Sequence, residues 1–139
     1  MAQLISSHDA ERCLRACLEA EGYKLSSPRK NGETGVDLNA SQGNEVYDIE
    51  VIGFKESPPA RSKDFYEVFF RAISRLKDGA ESIVIALPER FGIGLNQRAA
   101  HYGEAWKRIG DAFPELEIWL VSCEQPYSYK RKKWNEWSS

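Results

Sequence analysis

The sequence predicts a three-layer α/β fold, helices on both faces of a mixed sheet of roughly four or five strands. Three observations carry that expectation. Apolar stripes at helical spacing alternate along the chain with short strand-like runs. One of those runs, SIVIAL at 82–87, is apolar throughout, as in central parallel strands. At 139 residues, with no internal repeat and no linker, the chain fits one domain with a real core.

The elements follow in order. Residues 8–21 read as a helix, with Ala10, Cys13, Leu14, Cys17 and Leu18 on one stripe and Gly22 as the stop. Residues 23–26 form a short strand, and SPRKNGETG at 27–35 is a loop. A hairpin follows: a strand over 36–40, a turn at Gln42-Gly43 and a strand over 45–54. In the second strand Val46, Asp48, Glu50, Ile52 and Phe54 share one face, with Tyr47, Ile49 and Val51 on the other. Both faces carry bulk, so the strand is expected inside the sheet, where two acids are out of place.

A loop containing Pro58-Pro59 leads to a second helix, for which Asp64 and Glu67 form a capping box. Its apolar stripe is Phe65, Val68, Phe69, Ala72, Ile73 and Leu76, and Gly79 ends it. After the strand at 82–87 come a third helix over 95–109 and a last strand over 118–121. The division expected is a domain over 1–125 and a basic, aromatic tail over 126–139.

A net charge of −2 makes the whole molecule no electrostatic match for nucleic acid, so polyanion contact needs a local patch. No apolar run approaches a membrane span, and no secretory segment precedes the cysteines. Cys13, Cys17 and Cys123 are therefore expected as reduced thiols in a cytoplasmic protein. Cys13 and Cys17 have no accompanying ligand cluster and are expected to pack as small hydrophobes. His8 and His101 have no partner that suggests acid–base catalysis.

The acids carry the chemistry. A turn at Gln42-Gly43 sets Asp37 opposite Asp48, with Glu50 one diagonal step away on the same face. Carboxylates gathered on neighbouring strands repel unless a cation or a proton sits between them, and Mg²⁺ suits such a set.

Glu11 within Ala10-Glu11, Leu18 and Gly22-Tyr23, then Gly35-Val36-Asp37-Leu38, then Ile49-Glu50-Val51 resemble the PD-(D/E)XK nuclease superfamily over roughly residues 9–122. The likeness implies a restriction-endonuclease-like αβα fold. It implies Asp37 and Glu50 as catalytic metal ligands for Mg²⁺ or Mn²⁺, with the Val51 carbonyl and Glu11 at the same ion. Its lysine position holds Ile52, which can neither place the attacking water nor stabilise charge. Lys55, Lys63, Arg71 or Arg75 must then supply the positive charge, Lys55 being the nearest in sequence.

Three functions follow as expectations. The first is a metal-dependent nuclease whose partner is nucleic acid, DNA foremost, and which works as a homodimer or in a larger assembly. The second is an inactive nuclease-fold module that binds nucleic acid or a protein. The third is a small interaction subunit whose acids form structural salt bridges. Arg71, Arg75 and the tail cations Lys130, Arg131, Lys132 and Lys133, flanked by Tyr and Trp, are the expected nucleic-acid contacts.

Overall fold

Residues 4–28 and 35–137 are described by the computed structural model; positions 29–34 of the expected loop and 138–139 of the expected tail lie outside them. Ser6 starts helix α1 (Ser7–Ala20) by accepting the Asp9 amide on its hydroxyl. Strands β1 (Lys24–Leu25), β2 (Leu38–Gln42) and β3 (Glu45–Val51) follow. Helix α2 (Pro58–Ser74) crosses to β4 (Ile83–Pro88). Helices α3 (Gly92–Tyr102) and α4 (Glu104–Ala112) lead to β5 (Leu116–Ser122), and β6 (Ser128–Lys133) ends the sheet.

The six strands lie side by side in sequence order; β3, β4 and β5 run parallel and the other pairings are antiparallel. Helix α1 packs Leu14 and Leu18 on one face, against Ile49, Val51, Val84 and Trp119. Helices α2 to α4 pack Phe65, Val68, Leu95 and Trp106 on the other, against Ile83, Ile85 and Ile118. All of β4 is buried, which is why its sequence is apolar without alternation. Among the described residues no helix is long and apolar enough to cross a membrane.

Several expectations need correction. The sheet has six strands, because the segment expected as a tail pairs along β5 from Ser122↔Ser128 to Glu117↔Lys133. The turn of helix after it buries Trp134 and Trp137. Trp134 stacks on Trp106 at 4.0 Å, and each indole N–H donates to the other residue's carbonyl. Helix α2 begins at Pro58, capped by the Ser57 hydroxyl, so Asp64 lies within the helix. A proline at the first helical position is preorganised for the helix, and the expected loop is its first turn. The third helix is two, broken at Gly103, whose φ of 50° and ψ of −113° no helix continues through.

Cys13 and Cys123, expected as free thiols, are joined in a disulfide with a Cα–Cα distance of 5.6 Å. It ties α1 to the residue after β5. Cys17 is the free thiol.

Candidate functional site

The hairpin turn decides which acids meet. The turn is Gly43-Asn44, with Gln42↔Glu45 and Leu38↔Ile49 paired. Gly43 has φ 61°, the value a hairpin of this kind needs at its first central position. The register therefore differs from the expected one by two residues. Asp48 faces Asn39, whose amide donates to it at 2.6 Å, and Asp37 falls beside Glu50 instead.

Asp37 and Glu50 are locked together through the backbone. The Asp37 amide donates to Glu50 Oε2 at 2.9 Å, and the Val51 amide donates to Asp37 Oδ2 at 3.0 Å. Ile49 and Val51 point into the α1 core, so Glu50 between them points to α2. The site thus lies on the α2 face, not beside the first helix as expected.

From α2, Arg71 sets its guanidinium 3.5 Å from Glu50 and 3.7 Å from Asp37. Glu50 is 1% exposed. Burial pushes its carboxyl above the usual range and the Asp37 charge adds to this, while the Asp37 amide, Arg71 and Arg75 oppose it. Arg71 is a cation that both carboxylates face, and Asp37 and Glu50 are the oxygen donors here that could hold a hard divalent cation.

Other expected members go elsewhere. Glu11 is held by Arg15 at 2.8 Å, and Arg15 also donates to the Ser26 carbonyl. Among the described residues no group of three or more His, Cys, Asp or Glu converges, so Glu11 does not complete a ligand set. Ile52 is buried in the α2-side core. Lys55 pairs with Asp64 at 3.0 Å and Lys63 with Glu67 at 3.9 Å. Arg75 pairs with Asp78 at 3.2 Å.

Gly53 serves the chain crossing it: a Cβ there would lie 2.6 Å from the Ser7 nitrogen and collide with the Ile5 carbonyl. Phe54 then bridges to Ile5. This crossing helps shape a cleft of about 720 Å³ lined by Ser6, Val51, Gly53, Lys55, Asp64 and Arg71. Arg71 stands where that cleft meets the two carboxylates.

The basic strand divides its cations. Arg131 lies over the Tyr47 and Trp119 rings at 4.7 and 4.8 Å, and donates to the Tyr47 hydroxyl at 2.6 Å. Lys133 donates to the Pro114 carbonyl, Lys132 lies over Trp137, and Lys130 is exposed.

Sequence reasoning missed Arg61, Arg90 and Arg98, which gather around a second cavity. One signal was visible: Tyr66 falls outside the apolar stripe of α2, is exposed and lines that cavity. Comparison with family models, curated proteins and solved structures finds no match.

Proposed function

We propose that this chain is a nuclease-fold protein of the PD-(D/E)XK type that hydrolyses phosphodiester bonds in nucleic acid, DNA foremost. Asp37 and Glu50 hold the divalent cation, and Arg71 takes the place of the missing lysine. One observation carries this reading: Asp37 and Glu50 sit side by side with Arg71 within 3.7 Å of both. The order helix, strand, hairpin, helix, strand supports the restriction-endonuclease-like assignment.

Mg²⁺ or Mn²⁺, when bound, supplies an activated water and neutralises charge at the phosphate. The remaining chemistry belongs to the chain. The Asp37 and Val51 amides hold the two carboxylates in fixed orientation. Burial keeps the Glu50 carboxylate poorly hydrated, which strengthens its attraction for a cation. Arg71 enters from the cleft, so its planar fork can move from the carboxylates to the phosphate and stabilise charge developing there.

The second reading is a module that binds nucleic acid without cutting it. It is favoured by Ile52, committed to the core, and by Arg71, which already supplies the carboxylates with a counter-charge.

The two separate in an assay of single-stranded and duplex DNA with Mg²⁺, Mn²⁺ or chelator. Expected is cation-dependent cleavage, lost in Glu50→Gln and lowered roughly 10²–10³-fold in Arg71→Ala. Binding without cleavage of any substrate overturns the first reading in favour of the second.

A further inference from the structure

A cavity of about 540 Å³ opens between α2 and α3, and among the described residues no acidic side chain lines it. Its walls carry three arginines, Arg61 from α2, Arg98 from α3 and Arg90 from the turn between β4 and α3. Arg61 and Arg90 share the Phe54 ring, each guanidinium 4.5 Å from its centroid, and Arg98 lies 5.2 Å from that of Phe65.

Hydrogen bonds hold two of these forks in place without neutralising them. Arg61 donates to the Lys55 and Glu56 carbonyls at 2.8 and 2.7 Å. Arg98 donates to the Gly94 carbonyl and the Ser62 hydroxyl at 3.3 and 3.1 Å. Gly94 leaves room for this, since a Cβ there would lie 2.9 Å from Arg98 Nη1. Arg61 and Arg98 bring like charge to one small cavity, and an anion seated between them lowers its energy.

The rim narrows the choice of anion. Tyr66 and Tyr102 meet hydroxyl to hydroxyl at 2.8 Å, and both rings are exposed. Guanidinium forks match phosphate oxygens, and exposed aromatic faces beside them accept bases.

We propose that this cavity binds the phosphate of a nucleotide or of a nucleic-acid strand, with the adjoining base against the Tyr66–Tyr102 rim. The site stands apart from Asp37 and Glu50 and does not rest on hydrolysis there. Phe54 lines both this cavity and the cleft that holds Arg71, so a strand could occupy the two together.

The test is an NMR and anisotropy titration of the whole chain with inorganic phosphate, AMP and a 5′-phosphorylated oligothymidylate. Phosphate should move the Gly94 amide and Arg98 side-chain resonances. Arg61→Gln with Arg98→Gln should weaken AMP and oligonucleotide binding about tenfold for each guanidinium lost. The salt slope for the oligonucleotide should flatten by about 0.7, the value for one phosphate contact on a single strand. Equal affinity for AMP and oligonucleotide identifies a free nucleotide as the ligand; a much tighter oligonucleotide identifies a strand. Arg90→Gln alone provides the same readout should the double variant unfold. AMP binding should be the same in chelator, where no cation-dependent cleavage occurs, which separates it from the hydrolytic reading. Unmoved Gly94 and Arg98 resonances, or unchanged affinity in a folded arginine variant, overturn the proposal.

Discussion

Glu50 and Glu117 are the buried acids among the described residues, and they are satisfied in opposite ways. Glu117, on the α1 face of β5, accepts the Trp119 indole N–H at 2.9 Å and faces Arg131 at 3.7 Å and Lys133 at 4.0 Å. One negative charge there has two cations from the neighbouring strand. Glu50, on the opposite face of β3, has Arg71, which it shares with Asp37. A buried acid with surplus cations is an internal tie. A buried acid beside another acid, next to a cleft, is why the proposed cation site is put at Glu50 and not at Glu117.

The contrast is sharpest in activity. Glu50→Gln should abolish cation-dependent cleavage, whereas Glu117→Gln, on the other face, should leave the rate per folded molecule unchanged. Equal losses in both would break the distinction.

Stability should run the other way. Reducing the Cys13–Cys123 bond, which closes a separation of 110 residues on the α1 side, should cost roughly 2–5 kcal/mol in urea unfolding. Cleavage measured below the new midpoint should persist, because Asp37 and Glu50 lie on the α2 face. Coupled loss of both would show that the faces are not independent.

Arg131→Ala removes one of the two cations facing Glu117 and strips the Tyr47 and Trp119 rings of theirs, at about 1–3 kcal/mol. Arg71→Ala should cost less, on the order of 1 kcal/mol or below, because its half-exposed guanidinium is screened by solvent. Denaturant midpoints of the two variants give the ordering directly.

The smallest effect concerns pH. Burial raises the folded pKa of Glu50 above its unfolded value of 4.5, so ionised Glu50 opposes folding. That penalty is absent below the unfolded pKa and grows as pH rises through the folded one. Glu50→Gln should therefore gain thermal stability relative to the parent as pH rises from about 4.5 towards neutrality. A difference in Tm that shrinks with rising pH would reverse the assignment of Glu50 as the strained acid.

Much of the site was legible because strand periodicity is rigid. The hairpin gathered Asp37, Asp48 and Glu50 as acids among apolar neighbours, and the family resemblance singled out Asp37 and Glu50. The register was not legible, since Gln42-Gly43 and Gly43-Asn44 both look like turns. Only the pairing of the two strands, Gln42↔Glu45 through Leu38↔Ile49, separates them. The counter-charge was not legible either: Lys55 lies nearest in sequence but points to Asp64, while Arg71 arrives from the next helix.

By itself the sequence determined the alternation of helices and strands, the buried run of β4 and the apolar stripes of α1 and α2. Each is a local pattern whose period reports the backbone directly. The tertiary structure decided what those patterns do not encode. The basic segment became an edge strand because Trp134 and Trp137 find a core to enter. Cys13 found Cys123 rather than its near neighbour Cys17. Arg61 came to face one cavity with Arg90 and Arg98, some thirty residues on. Contacts between distant residues depend on how the layers pack, and packing is a property of the whole chain rather than of any window within it.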